Sequence, residues 1–283
     1  MASGGSAGAG PFDSSRNLDP AEKTQAAEHS APQAVVIHEI LRKDGEAELA
    51  RRAGATFWSG LAAGLSMGFS FLALALIRSG LPDGPSQRLL AGPGYCLGFV
   101  IVVLGRQELF TESTLTAVLP LLVRRDRATW LALVRFWAVV LSANILGTVV
   151  FARLLAIDGL FPGPVRAALD AIAGEAVAGP FWPTAIKSVF AGWLIALMIW
   201  LLPSARSARL LVIMLLTYVV AIGGFSHIIA GSVEAAFAVF GGHASIRDYL
   251  VGFFVPTIIG NTLGGVALVA LLNHAPLAPE LQA

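Results

Sequence analysis

Two side chains in the most apolar parts of the chain carry groups able to do chemistry, Glu112 and His227. Each closes a short triplet, Phe110-Thr111-Glu112 and Phe225-Ser226-His227, and Phe110 falls on Phe225 at an offset of 115 residues. Each triplet lies mid-way along a hydrophobic stretch too long for one ordinary helix. Ionisable groups at such depth are costly and face a bundle interior or an aqueous path. An imidazole, with an ordinary pKa of about 6.5, can exchange a proton or donate a hydrogen bond to a solute near neutral pH. The structural alternative for His227 is a neutral ring bonded to a broken-helix carbonyl. Lys187, near the outer start of the fourth apolar region, is placed to supply positive charge there, or else to snorkel to the interface. Enzyme chemistry has little to build on. There is no H-E-x-x-H and no G-x-S-x-G, and the histidine has no second histidine in the apolar segments. Cys96 stands alone, so neither a disulfide framework nor a thiol metal site is expected. The expectation is a protein that is not an enzyme and has no metal or cofactor.

The elements that must position these groups are membrane helices. The sequence is 56% hydrophobic and only 13% charged, against roughly a quarter charged in soluble domains. Its exterior is therefore expected to meet lipid, and a net charge of +1 offers no surface for nucleic acid. Six apolar regions follow one another, at 55–77, 88–123, 129–156, 181–202, 208–240 and 247–273. A helix needs roughly 20 residues to cross a bilayer. The second and fifth regions are too long for one crossing and too short for two with a turn. Each is expected to be one crossing made of two half-helices joined by an irregular loop, which must be buried in protein or line a cavity. Residues 1–33 read as a disordered tail, 34–53 as an amphipathic surface helix, 54–274 as the transmembrane domain and 275–283 as a C-terminal tail.

The two halves repeat. Besides the triplets, Thr56, Ala63 and Gly64 recur as Thr184, Ala191 and Gly192, and Asn144-Ile145-Leu146-Gly147 recurs as Asn261-Thr262-Leu263-Gly264. Three spans per half reverse the entry of the second half, so the repeat is inverted, as in many solute carriers with broken helices. Lys43, Arg51, Arg52, Arg124, Arg125, Arg127, Arg206 and Arg209 gather on one side of the six regions, which puts both termini in the cytoplasm. Part of the third connection, 157–180, is expected to form an amphipathic helix on the outer face. Arg135, inside the third region, requires a partner.

Three motifs in order bring a family into view. Gly105-x-x-Glu108-Leu109-Phe110-Thr111 resembles the second-span loop of the formate/nitrite transporter family. Gly224-Phe225-Ser226-His227 resembles its fifth-span G-F-E-H segment. Pro256-Thr257-Ile258-Ile259-Gly260-Asn261-Thr262-Leu263-Gly264-Gly265 resembles its sixth-span P-x-x-I-G-N-x-x-G-G. The resemblance covers about 50–274. It implies an all-α, aquaporin-like bundle of six transmembrane helices with an inverted 3+3 repeat, assembled as a homopentamer in the plasma membrane (a bacterial inner membrane). Each protomer would carry a channel or proton-coupled transporter for small monovalent weak-acid anions such as formate, nitrite and hydrosulfide. By the same resemblance His227 is the central pore histidine and Thr111 its facing hydroxyl. Leu109 and Phe110 help form an apolar constriction, Phe225 and Ser226 belong to the pore loop, and Glu108 braces the loop rather than facing solute. Asn144 and Asn261 are expected to brace the two loops.

The chain also departs from that pattern. Ser226 stands where the family has a glutamate, Gly231 where an asparagine often follows the histidine by four, and Glu112 where a small residue or asparagine follows the loop motif. Glu234 adds a further acid seven residues beyond His227. Added carboxylates sit poorly in an anion pore. Glu112 is therefore protonated, paired with His227, or the mark of the same fold with selectivity changed toward a cation or neutral solute; the structural alternative is that Glu112 and Glu234 only partner loop N–H groups or Arg135.

Overall fold

The computed structural model describes residues 18–30 and 32–279. The expected N-terminal tail and the end of the C-terminal one extend into 1–17, 31 and 280–283, which lie outside the described residues. Within 18–30, Pro20–His29 forms a helix, α1. The Glu22 carboxylate accepts from the Asp19 N–H and the Asp19 carboxylate from the Glu22 N–H, a reciprocal cap that satisfies two amides lacking partners inside the helix.

From residue 34 onward the described chain consists of helices joined by loops and turns. Helix α2 (Ala34–Ala50) buries a stripe of Ile37, His38, Leu41, Gly45 and Leu49. Its other face carries a charge ladder, with Arg42 2.7 Å from both Glu39 and Glu46. Helix α3 is Ala53–Ser79. The second apolar region breaks into α4 (Gln87–Leu104), α5 (Phe110–Thr116) and α6 (Leu119–Arg124). Helix α7 is Arg127–Leu155, and α8 (Gly163–Val177) occupies the third connection, burying Val165, Leu169 and Ile172. Helix α9 is Phe181–Leu201. The fifth region breaks into α10 (Arg209–Gly223) and α11 (Ile228–Phe240). Helix α12 runs over Asp248–His274, with its turns widened at Asp248–Phe254 and Leu263–Leu271. Six helical stretches, the fifth counted from Arg206 to Gly223 so as to include the turn before α10, are long and apolar enough to cross a membrane. Large apolar side chains such as Leu90, Ile186 and Leu211 stand on the outside, and Trp58, Trp130 and Trp182 are exposed near span ends, where an aromatic belt belongs. The chain is an integral membrane protein built as an inverted repeat of three spans, with the second and fifth spans broken.

The repeat has a structural register that differs from the one suggested by the triplets. Arg106 and Gly224 both adopt left-handed backbone, φ 54° and φ 59°. The next amides, of Gln107 and Phe225, reach back to the carbonyls of Val102 and Val220. Leu109 and His227 are then the extended N-cap residues, at φ −109°, ψ 128° and φ −112°, ψ 128°. Equivalent positions are thus 118 residues apart, Leu109 falling on His227 and not Glu112 on His227. The Phe-Thr/Ser likeness at 115 is a local coincidence of side chains, whereas the break itself is a matter of backbone.

Each half is clasped at one helix crossing. A Cβ on Gly64 of α3 would collide with the carbonyl oxygen of Asn144 on α7, and one on Gly192 of α9 with that of Asn261 on α12. Only glycine allows these backbones to meet so closely. The contact brings both asparagine side chains level with the breaks.

Candidate pore site

Asn144 and Asn261 fasten the two breaks in the same way. The Phe110 N–H donates to Asn144 Oδ1 at 2.9 Å, and Asn144 Nδ2 donates to the Gly60 and Glu108 carbonyls at 2.7 and 2.9 Å. The Ile228 N–H donates to Asn261 Oδ1 at 2.8 Å, and Asn261 Nδ2 donates to the Ser188 and Ser226 carbonyls at 2.8 and 3.0 Å. A primary amide has one acceptor and two donor hydrogens, and each asparagine uses all three inside the protein. Broken backbone at membrane depth thus finds partners that lipid could not offer.

Between the breaks, Thr111 Oγ1 and His227 Nε2 lie 2.8 Å apart, both buried. The Ala230 N–H donates to His227 Nδ1 at 3.2 Å, capping α11. Nδ1 is therefore the unprotonated nitrogen, and Nε2 carries the hydrogen and donates it to Thr111 Oγ1. Phe99 of α4 sets its ring edge-on to the imidazole, with centroids 5.0 Å apart.

A cavity opens on either side of this contact. On the α8 side a cavity of about 550 Å³ is lined by Phe225, Ser226, His227, Lys187, Tyr95 and Glu234, with Arg78, Arg88 and Glu175 toward its rim. On the α2 side a cavity of about 700 Å³ is lined by Leu109, Glu112, Glu108, Glu48, Arg51 and Arg106, among others. The equivalent N-cap residues therefore face opposite ways, Leu109 into one cavity and His227 into the other. Thr111, fully buried, lines neither and joins His227 between them.

The sequence-predicted residues divide accordingly. Phe225, Ser226, His227 and Lys187 come together on the α8 side, where Phe225 stacks on Phe190 at 5.3 Å. Leu109, Glu108 and Glu112 come together on the α2 side. Phe110 packs edge-on against Trp137 at 5.6 Å and lines neither cavity. The pairing of Glu112 with His227 is not formed. The register of 118 turns Glu112 into the opposite cavity, where its Oε1 is buried without a hydrogen-bond partner. The Glu108 side chain meets Arg51 at 2.6 Å at the cavity wall, while its backbone carbonyl is the part bonded to Asn144. Arg135 finds its partner in the Leu49 carbonyl at the end of α2.

Sequence reading missed Phe99, Tyr95 and Glu48. Thr116 Oγ1 donates to Glu48 Oε2 at 2.7 Å, so α2 forms part of the cavity wall rather than an appendage. The available signal was Gly45, which lies against the Thr116 carbonyl and admits that close approach.

This architecture defines a membrane channel or transporter class: a cavity on either side of a buried contact at paired helix breaks. The formate/nitrite transporter family model matches residues 35–275, and the chain belongs to that family. The inner membrane protein YfdC of Escherichia coli (strain K12) is 40% identical over 248 residues, covering 88% of this chain and 80% of that protein. The formate channel FocA of the same strain is 25% identical over 246 residues, covering 76% of this chain and 84% of that one. A solved structure, a pentameric formate channel with formate bound, superposes with a TM-score of 0.69 at 23% identity, covering 80% of this chain and 98% of that one.

Proposed function

We propose that each protomer passes small monovalent weak-acid anions of the formate, nitrite and hydrosulfide class between the two cavities, with protons as co-substrate. The observation that carries this reading is the Thr111–His227 contact at 2.8 Å, polar and uncharged, with Leu109 lining the one cavity and Phe225 the other. A dry constriction of this kind opposes an ion, which must shed its water at great cost, far more than a neutral acid. Lys187, without an ion-pair partner among the described residues, attracts the anion into the α8-side cavity. Leu109 closes the α2 side, Phe225 and Ser226 the other, and Phe110 supports the constriction from behind through Trp137. Asn144 and Asn261 hold the geometry, as does the Glu108 backbone.

The proposal includes a homopentamer in a plasma membrane, a bacterial inner membrane, with the α2 side and both termini in the cytoplasm. The basic residues of that side support the orientation, and the pentameric formate channel of the same fold supports the assembly. In this reading α2 lies along the cytoplasmic surface, and 54–274 is the pore domain.

Glu112 favours a second reading, the same fold carrying a cation or neutral solute, because its partnerless Oε1 lies in a cavity that also holds Glu48 and Glu108. Flux of formate, nitrite, hydrosulfide and potassium into proteoliposomes separates the two. Entry of the anions without potassium is expected. Entry of potassium without formate would replace the first reading by the second.

A further inference from the structure

We infer that Glu234, and not His227, is the group that exchanges a proton with the solute in the α8-side cavity. The inference rests on the weak-acid reading above and adds a residue to it.

Both ring nitrogens of His227 are already committed. Nδ1 accepts from the Ala230 N–H, and Nε2–H donates to Thr111 Oγ1. A proton added at Nδ1 would set one N–H against another and remove the cap of α11. A proton given away from Nε2 would leave an imidazolate. The ring is built to hold one state and to present a fixed hydrogen-bonding edge.

Glu234 is placed differently. It lies seven residues beyond His227 on α11, two turns along and on the same face, about 10 Å further toward the cavity mouth. It lines the same cavity. A solute entering from this side therefore meets it before reaching His227. The ionisable groups facing it come from every neighbouring element of the cavity: Arg78 of α3, Arg88 and Tyr95 of α4, Glu175 of α8 and Lys187 of α9. Helices α7 and α12 contribute no ionisable side chain to the lining. Arg78 and Arg88 are both held by Glu175, at 2.8 and 3.1 Å. Glu234 has no hydrogen bond or ion pair among the described residues, and neither has Lys187. The cavity thus offers one unengaged cation to hold an anion and one unengaged carboxyl to protonate it.

The step balances without a further reagent. The O–H bond of the Glu234 carboxylic acid breaks and an O–H bond forms on the incoming carboxylate, leaving a neutral small acid and a Glu234 carboxylate. The carboxylate regains its proton from the bulk solution through the cavity mouth, so one proton enters with each anion. The neutral acid then passes the Thr111–His227 contact without the desolvation cost of an ion.

The full-length protein in proteoliposomes, with formate as probe and a pH-sensitive dye inside, tests this. Wild type, Glu234→Gln and Glu234→Asp are compared from about pH 4 to pH 8, a range that brackets the ordinary titration of carboxyl groups. At the alkaline end Glu234→Gln is expected to lose formate entry and proton entry together, by about tenfold or more, which corresponds to 1.4 kcal/mol on the barrier. At the acid end, where the bulk already supplies neutral acid, it approaches wild type. Glu234→Asp keeps the coupling with its alkaline limb displaced. A merely structural role would lower flux equally at every pH. A Gln variant with the wild-type pH profile, or one lowered equally at every pH, overturns the inference. If that variant does not assemble, an unmoved alkaline limb in Glu234→Asp overturns it instead. Wild-type vesicles that take up no formate at any pH contradict the proposed function, not the role of Glu234 within it.

Discussion

At the scale of single residues, Thr111, His227 and the two asparagines hold the site. Thr111→Val keeps the shape and removes the acceptor, leaving the His227 Nε2–H buried and unpaired, a cost of about 1–3 kcal/mol. A lowered thermal midpoint in detergent together with slower formate entry is the expected outcome, and an unchanged midpoint would count against the bond. Asn261→Asp preserves the acceptor for the Ile228 N–H but removes the donor to the Ser188 and Ser226 carbonyls. Each stranded carbonyl costs about 1–3 kcal/mol, so assembled protein is expected to fall sharply. Asn144→Asp should behave alike, because it strands the Gly60 and Glu108 carbonyls in the other half. Expression followed by size-exclusion chromatography checks the pair. The asparagines were legible beforehand because they recur within the same four-residue pattern. The imidazole tautomer was not, since it depends on the Ala230 amide that the break turns toward the ring.

At the scale of elements, the helix breaks were visible as apolar regions of unworkable length, and the helices appear with ends close to those expected. What failed was the register between the halves. Residue likeness placed Glu112 on His227, but the equivalent residues Leu109 and His227, or Arg106 and Gly224, share backbone conformation and no side-chain chemistry. A pattern of residue types could not disclose that. Packing of α2 was equally hidden, because its amphipathic face suits a lipid surface as well as a protein one. Gly64→Val and Gly192→Val test the paired crossings. Either side chain would strike an asparagine carbonyl and is expected to abolish assembly, whereas Gly54→Ala, with open space around it, should have little effect. Helix α2 also docks through His38, whose Nε2 lies 3.0 Å from His274 Nδ1 of α12. Burial, then the neighbouring His274, holds His38 below the ordinary histidine range. The unfolded chain thus takes up this proton first as pH falls, so stability is retained above about pH 6.5 and lost below it. Thermal midpoints from pH 8 to pH 5 should show that decline, and His38→Gln should reduce its slope. An identical slope in the variant would remove His38 from the account.

At the scale of the whole molecule, an inverted repeat brings two broken helices to one level and leaves a cavity on each side of their meeting point. The family follows from the match over 35–275. Glu112 and Glu234 lie in opposite cavities, so neither carboxylate faces the other across the constriction. Everything proposed for transport turns on solute crossing at the Thr111–His227 contact. It is tested most directly by the rate of formate entry into proteoliposomes containing equal amounts of assembled wild type or His227→Ala. The variant's rate is expected to depart from wild type by about tenfold or more, the equivalent of 1.4 kcal/mol at the constriction. Entry at the wild-type rate through the His227→Ala protein would contradict it.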